Sequence, residues 1–314
     1  MTTVKPLPRA VFLMGPTAAG KTSLAMQLYD SLPCELISVD SALIYRGMDV
    51  GTAKPTLAEQ QRYPHHLINI IDPAQSYSAG QFRSDALALM QEISARGKLP
   101  ILVGGTMMYF NALVKGLAVL PDGSDEIREQ INGLAKQQGW PAVHAQLARV
   151  DPSSAARLAP NDAQRISRAL EVFKLTGQSI TEHWKKQQFE PFPYDVLNLA
   201  VMPSDRKVLH MRIEDRFHKM LKEGFVEEMQ SLYDRGDLNK DMPSIRCVGY
   251  RQYWMYLNRE MDRTTMIDKS IIATRQLAKR QITWLRSWQN LYWLDPQAAE
   301  LTARVLKLID SDTI

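Results

Sequence analysis

Eight consecutive residues near the start of the chain have the types and spacing needed to bind a polyphosphate. They fit the pattern G-x-x-x-x-G-K-[ST] and are Gly15, Pro16, Thr17, Ala18, Ala19, Gly20, Lys21 and Thr22. The glycines let successive backbone N–H groups point inward, Lys21 supplies a full charge, and the Thr22 hydroxyl can hold Mg²⁺. A strand-like run precedes the segment at 10–14, and a helix predicted to begin at Lys21 adds its positive dipole end. This pattern predicts a phosphate-binding loop (P-loop) with Mg²⁺ as cofactor, and a chance glycine turn is the alternative.

Two further candidates follow predicted strands. Asp40 comes directly after the apolar run 36–39, and Thr106 ends the sequence Gly104-Gly105-Thr106 after an apolar run at 100–103. The carboxyl ends of parallel strands face the ligand crevice, so both side chains should point toward the P-loop ligand. A strand-end Asp can equally well cap the next turn, and its position alone leaves both roles open.

Basic residues form the third group of candidates. On a predicted helix at 261–288, Arg275, Lys279 and Arg286 fall on one face, and the opposite face carries Ala273, Leu277, Trp284 and Trp288. Arg128, Arg165, Arg168 and the segment 245–252 add further arginines, an aromatic ring and a flexible glycine. Such pieces could converge on a phosphate backbone and a stacked base, although a charged helix stripe is usually a solvated face.

The elements that would position these residues alternate between strand and helix in the first third of the chain. Short apolar runs at 10–14, 35–39 and 100–103 predict strands, and a capping box at Ser78 begins a helix that continues to Arg96. This rhythm predicts an α/β fold in which a parallel sheet is flanked by helices, as in P-loop NTPases.

The middle of the chain has a different character. Residues 122–189 are polar and rich in Ala, Gln and Arg, without a convincing strand, which predicts an inserted all-helical domain. A strand is predicted again at 196–202, followed by long helices at 206–235 and 261–288 and a strand at 291–294. The catalytic core is therefore expected to be discontinuous, comprising 1–121 and 190–314.

Composition limits the class of protein. The chain has 314 residues, 45% of them hydrophobic and 23% charged, which is enough for about two domains. Its two cysteines, Cys34 and Cys247, lack metal or redox spacing, so reduced thiols are expected. No apolar run is long enough for a signal peptide or membrane span, so we expect a cytoplasmic protein without a membrane partner. We also expect a monomer, although no feature of the sequence determines the oligomeric state. The net charge of +4 permits a nucleic-acid partner without requiring one.

Several motifs together resemble a known family, the bacterial tRNA dimethylallyltransferases (tRNA isopentenyltransferases). The resemblance rests on the P-loop and on the segments 40–49, 51–55, 103–106, 164–171, 249–252 and 279–286, so that it covers nearly the whole chain. It implies transfer of a dimethylallyl group from dimethylallyl diphosphate to N6 of the adenosine next to the anticodon on its 3′ side (position 37). The implied substrates are tRNAs that read codons beginning with U, and the P-loop would hold the diphosphate of the prenyl donor.

The roles expected of individual residues complete this hypothesis. Lys21, Asp40 and Thr106 would be catalytic: Asp40 would accept a hydrogen bond and then a proton from the adenine amine, and Thr106 would bind the departing oxygen. Arg216, on the first long helix, is a further candidate for contact with the diphosphate. The resemblance places contacts with the anticodon stem-loop at Asp40, Ser41, Ala42, Leu43, Thr106, Arg128, Gln164, Arg165, Ile166, Ser167, Arg168, Ile245, Arg246, Cys247, Val248, Gly249, Tyr250, Lys279, Arg280, Gln281, Ile282, Thr283, Trp284, Leu285 and Arg286.

Two other functions fit parts of the sequence. In a P-loop kinase Asp40 would act as base for an acceptor hydroxyl, which accounts for the first third of the chain but leaves the insert and the basic helix without a role. A GTPase-like switch that binds RNA would need a guanine-reading element, and residues 239–242 lack the acidic fourth residue of the N-K-x-D pattern.

Overall fold

The computed structural model describes residues 6–118, 120–187 and 190–311. The chain divides into two compact units. The first, called the sheet unit below, comprises Met1–Val114 and Phe192–Ile314, and the second, the helical unit, comprises Lys115–Pro191.

The sheet unit is built on six parallel strands. They are β1 (Arg9–Met14), β2 (Cys34–Val39), β3 (His65–His66), β4 (Leu99–Gly104), β5 (Asp195–Val201) and β6 (Leu291–Leu294). Their order is β3-β2-β4-β1-β5-β6. Gly104 at the end of β4 pairs with Met14 on one side and Val39 on the other, so that three strand ends lie next to each other. The predicted α/β class with a parallel sheet is confirmed, and only the two-residue strand β3, too short to show a periodicity, was not predicted.

Helices account for most of the remaining structure. Four precede the helical unit or end at its first residue: α1 (Lys21–Ser31), α2 (Leu57–Arg62), α3 (Ala79–Ala95) and α4 (Met107–Lys115). Five form the helical unit: α5 (Asp125–Gln138), α6 (Trp140–Val150), α7 (Pro152–Arg157), α8 (Ala163–Thr176) and α9 (Ile180–Lys186). Five follow it: α10 (Arg206–Lys222), α11 (Phe225–Asp234), α12 (Tyr250–Leu257), α13 (Arg263–Arg286) and α14 (Leu301–Ser311).

The strands bury alternate residues on opposite faces of the sheet. Phe12 and Met14 pack with residues of α3 and α4, whereas Val11 and Leu13 pack with residues of α1 and α14. Successive side chains of a strand point to opposite faces, and a parallel sheet buried on both faces needs apolar residues at every position. This requirement explains the unbroken apolar run that predicted β1.

A third apolar cluster packs α10, α11, α12 and α13 together. The prediction of one helix over 206–235 is wrong at its centre, because α10 ends at Lys222 and α11 begins at Phe225. Gly224 between them has φ of +107°, in the left-handed region that favours glycine. The second predicted helix is shorter than 261–288, since the Asp262 side chain caps α13 by accepting from the N–H of Thr265 at 2.7 Å.

The helical unit has its own core, formed by nine buried residues that include Val143, Leu147 and Ile166. Its described residues form no strand, in agreement with the prediction of an all-helical insertion. In neither unit do the described residues include a helix both long and apolar enough to cross a membrane.

Candidate active site

The P-loop connects β1 to α1 and has the backbone geometry of a phosphate cradle. An added Cβ at Gly15 would lie 2.4 Å from the carbonyl oxygen of Val201, so only glycine fits there. Gly20 has φ of +98° and caps α1 without a side-chain hydrogen bond to the first turn. Ala18 is also in the left-handed region, at φ of +62°, a conformation that non-glycine residues adopt at some energetic cost. The first-turn N–H groups of α1 therefore have no side-chain cap and can receive an anion.

Lys21 lies folded against the loop. Its Nζ donates a hydrogen bond to the carbonyl oxygen of Pro16 at 2.7 Å. The pKa of Lys21 is lowered from 10.5 to about 8, mainly by burial and in part by the charge of Arg216, while the charge of Asp40 opposes both. The structure thus brings Lys21, Asp40 and Arg216 together at the P-loop, as the sequence predicted.

Asp40 has the capping role that the sequence left open. Its Oδ1 accepts hydrogen bonds from the N–H groups of Ala42, at 2.8 Å, and Leu43, at 3.4 Å. Among the described residues nothing donates a hydrogen bond to Oδ2, and the carboxylate also interacts electrostatically with Lys21 and Arg216. One oxygen therefore holds the turn after β2, and the other is left for a ligand.

Thr106 joins the ends of β2 and β4. Its Oγ1 accepts from the N–H of Ser41 at 3.0 Å and donates to the Ser41 hydroxyl at 3.4 Å, while its own N–H donates to Val39 O at 3.2 Å. The close approach of the two strand ends requires Gly104, because an added Cβ there would lie 2.0 Å from Val39 O. Thr106 thus lies beside the turn that Asp40 caps, at the predicted end of the sheet.

Arg216 lies beside a loop whose importance was not predicted from the residues. Its Nη2 donates to Thr52 O at 2.8 Å, and burial lowers its pKa although Asp40 opposes this. Glu228 holds the same loop by accepting from the N–H groups of residues 49 and 50, each at 2.7 Å, and of Gly51 at 3.0 Å. Tyr250 OH donates to this carboxylate at 2.5 Å. The only sequence signal for this loop was its resemblance motif at 51–55.

Gln281, one of the predicted tRNA contacts, is bonded within the protein. Its side chain is buried on α13, where Oε1 accepts from the Thr17 N–H and Nε2 donates to Gly105 O, each at 2.9 Å. This amide joins two strand-end loops inside the sheet unit, a structural role that the sequence did not predict.

The basic face of α13 is only partly as predicted. Five members of the predicted contact set are exposed, Lys279, Arg280, Thr283, Trp284 and Arg286, whereas Ile282 and Leu285 are buried. Trp284, predicted on the apolar face, is 42% exposed. The face that is buried carries Met266, Ser270, Ile271, Ala278, Gln281, Ile282 and Leu285. Arg275 pairs with Glu214 at 2.6 Å, so part of its charge is already compensated within the protein.

The segment 245–250 is mostly internal. Ile245, Gly249 and Tyr250 are buried, Cys247 and Val248 are half-buried, and Arg246 is exposed. Burial and the nearby charge of Asp40 raise the pKa of Cys247 to about 12, so its thiol stays protonated and is no nucleophile. The side chains of Ile245 and Tyr250 are part of the apolar cluster around α10 to α13 and are not at the surface. In the turn after β2, Ser41 is exposed and Ala42 and Leu43 are half-buried.

In the helical unit, three predicted tRNA contacts have an acidic protein partner. Arg165 pairs with Asp162 at 2.5 Å. The buried Glu171 carboxylate pairs with Arg128 Nε at 2.9 Å and Arg168 Nη1 at 2.6 Å. Gln164 and Arg165 are exposed on the first turn of α8, Ser167 is half-buried, and Ile166 is buried, which contradicts a direct contact by Ile166. Arg128 and Arg168 each keep a partly exposed side chain, and Arg128 also pairs with Asp125 at 3.2 Å.

The residues around Thr22 fit a magnesium ion shared with phosphates. Thr22 is exposed in the first turn of α1, and its hydroxyl has no hydrogen-bond partner among the described residues. Over the same residues there is no group of three His, Cys, Asp or Glu side chains that could hold a metal ion. Mg²⁺ in phosphate sites typically takes one or two protein ligands and completes its shell with phosphate oxygens and water.

A parallel sheet with a glycine-rich loop after its first strand and a lysine folded into that loop defines a P-loop fold. Comparison with known proteins specifies the kind of P-loop protein. The profile of the family described as IPP transferase matches residues 43–288. The chain therefore belongs to the IPP transferase family, and it is an enzyme of the transferase class.

Solved structures agree with this assignment. The tRNA isopentenylpyrophosphate transferase of Bacillus halodurans is 36% identical, with 97% of this chain and 95% of that chain covered and a TM-score of 0.70. The tRNA delta(2)-isopentenylpyrophosphate transferase of Staphylococcus epidermidis is 31% identical, with 98% of this chain and 100% of that chain covered and a TM-score of 0.70. A eukaryotic dimethylallyltransferase acting on tRNA is 25% identical, with 97% of this chain and 79% of that chain covered and a TM-score of 0.80.

Proposed function

We propose that this enzyme transfers the dimethylallyl group of dimethylallyl diphosphate to N6 of adenosine 37 in tRNAs that read codons beginning with U. The products would be N6-(dimethylallyl)adenosine in the tRNA and diphosphate, and the reaction would take place in the cytoplasm. The names of the solved relatives, which include tRNA as substrate, support the acceptor class. The P-loop supports the donor, because a loop of N–H groups binds a diphosphate whatever group is attached to it.

The donor half of the reaction would use the cationic end of the sheet. The uncapped first turn of α1 and the Lys21 ammonium would bind the diphosphate, with Arg216 beside them. When the C–O bond of the donor breaks, negative charge develops on the departing oxygen, and fixed cations and N–H groups stabilise that charge most at that moment. Thr106 would donate its hydroxyl hydrogen to the same oxygen, exchanging its present bond to Ser41.

The acceptor half would use Asp40. The exocyclic nitrogen of a flipped adenine would attack the first carbon of the prenyl chain, forming the C–N bond as the C–O bond breaks. Oδ2 of Asp40 is left without a partner among the described residues and would orient the amine and then take its proton. Because an adenine amine is a weak nucleophile, orientation against the carbon would contribute at least as much as deprotonation.

Thr22 would hold Mg²⁺ together with oxygens of the diphosphate, in keeping with its exposed position in the first turn of α1. The ion would supply charge neutralisation of the leaving group. We propose further that the exposed cations Lys279, Arg280 and Arg286, together with Arg128, Arg165 and Arg168 of the helical unit, bind the anticodon stem-loop, and that the enzyme acts as a monomer.

The observation that carries the proposal is the Asp40 carboxylate near Lys21 and Arg216 at the P-loop, with an Oδ2 that accepts no hydrogen bond from the described part of the chain. The test is incubation of unmodified tRNA with dimethylallyl diphosphate and Mg²⁺, followed by mass spectrometry of its nucleosides, with an ATPase assay in parallel. We expect a mass gain of one dimethylallyl group on adenosine 37 and no ATP hydrolysis stimulated by tRNA. ATP hydrolysis or phosphoryl transfer without prenylation would instead favour a P-loop kinase.

A further inference from the structure

Gln281 occupies a place that the proposed reaction does not by itself require. It lies on α13 and is 8% exposed, and both ends of its side-chain amide are hydrogen-bonded to backbone groups of other loops. We propose that Gln281 is a positioning residue that couples the basic surface of α13 to the P-loop, so that binding of tRNA and binding of the prenyl donor strengthen one another. This inference rests on the proposed function.

The two hydrogen bonds of Gln281 join two loops that the proposal places around the diphosphate. Oε1 accepts from the N–H of Thr17 in the P-loop, and Nε2 donates to the carbonyl of Gly105, the neighbour of Thr106. Gln281 and the P-loop can come this close to Gly105 only because Gly105 has no side chain. An added Cβ would lie 2.5 Å from Gln281 Nε2 and 3.2 Å from Gly15 O. This amide thus adds a side-chain bridge to the strand pairing that already holds the diphosphate loop beside the loop of Thr106.

The same helix turn carries exposed residues. Lys279, Arg280 and Thr283 are exposed within two residues of Gln281, while Ile282 and Leu285 anchor the helix in the core. The exposed and buried faces of α13 belong to one continuous helix, so RNA that binds the exposed face would also restrain Gln281 on the buried face. Through its hydrogen bonds, Gln281 would in turn restrain Thr17 and Gly105. Binding of polyanionic RNA to α13 would therefore hold the P-loop in one geometry.

The test measures affinity for dimethylallyl diphosphate by calorimetry, with and without a saturating anticodon stem-loop, and turnover of the same proteins. In the wild type we expect the stem-loop to raise donor affinity by about fivefold or more, the lower end of ordinary coupling. Gln281→Met keeps the length of the side chain and removes both hydrogen bonds. In this variant we expect donor affinity to be about the same with and without the stem-loop. We also expect kcat to fall by ~10- to 100-fold, as for misplaced reacting groups. Affinity for the stem-loop alone should stay within about twofold, since no surface cation is changed.

The matched control is Gln276→Met, the same substitution at an exposed position of α13. It should leave coupling and turnover as in the wild type. Gln281→Asn, which keeps the amide but is too short to bridge both loops, should behave as Gln281→Met does and serves if the methionine variant fails to fold. A folded Gln281 variant with wild-type coupling and kcat would overturn the inference. If the wild type prenylates the stem-loop but its donor affinity does not depend on the stem-loop, the inference about Gln281 is overturned and the proposed function stands. If the wild type binds neither substrate, the proposed function is overturned as well.

Discussion

Binding of the prenyl donor should weaken steeply above neutral pH, because the free protein holds Lys21 at a pKa of about 8. Below that value Lys21 is charged and can pair with the diphosphate, and above it the amine must take up a proton before it can do so. With a pKa of about 8, only about one molecule in thirty carries the charge at about pH 9.5, so affinity should fall ~30-fold between about pH 7 and 9.5. A phosphate ester has its last ionisation near about pH 6, so the ligand itself changes little over this range.

The assay is calorimetric titration with dimethylallyl diphosphate and Mg²⁺ across that range, repeated in buffers of different ionisation enthalpy. At about pH 9 the wild type should take up close to one proton per site on binding, by linkage. Lys21→Arg remains charged at every pH used, so it should bind with a flat profile and no proton uptake. Asp40→Asn removes the charge that raises the Lys21 pKa, so the midpoint should move to lower pH. A flat wild-type profile, or a decline that persists in Lys21→Arg, would refute this account of the site.

Three further predictions test other parts of the structure. Asp40→Asn, assayed by single turnover at about pH 6 so that Lys21 stays protonated, should slow the chemical step by ~10²- to 10⁴-fold with both substrates bound; a loss below about tenfold would reduce Asp40 to its capping role. Lys279→Gln and Arg286→Gln should each lower the slope of log K for tRNA against log salt by about 0.7 to 0.9, whereas Arg275→Gln should change it less because of its pairing with Glu214; equal slopes for all three would argue against the assignment. Gly51→Ala would place a Cβ 2.3 Å from the Phe225 ring and should lower the free energy of unfolding by about 1–3 kcal/mol in urea denaturation, while Gly80→Ala, where the nearest atom is 3.7 Å away, should not.

The sheet was predictable because its signals are local. A strand buried on both faces must be apolar throughout, and the runs at 10–14 and 100–103 meet that requirement without reference to the rest of the chain. The P-loop was predictable for the same reason, since its pattern is contained in eight consecutive residues. Even the capping box at Ser78 is present as predicted, with Gln81 N–H donating to Ser78 Oγ at 3.1 Å.

Errors arose where a side chain has a partner far away in the sequence. Glu228 binds a loop that lies 177 to 179 residues away, and Gln281 binds Thr17 at a separation of 264. The orientation of α13 was wrong by part of a turn because hydrophobicity alone places Trp284 inside. The α13 face that is buried includes two polar residues, Ser270 and Gln281. A buried glutamine with two backbone partners has no signature in a hydrophobic pattern.

Asp40 and Thr106 show why structural and chemical roles cannot be separated at this site. Asp40 uses Oδ1 to fix the turn after β2, while its Oδ2 has no hydrogen-bond donor within residues 6–118, 120–187 and 190–311. Thr106 uses its hydroxyl to hold Ser41 in that same turn. A carboxylate oxygen is useful for orienting a weak nucleophile only if it cannot rotate away, and the bond that caps the turn prevents that rotation. The capping bond is thus a condition for the proposed chemistry. The same holds for Gln281, whose internal contacts would fix the P-loop against the loop that carries Thr106.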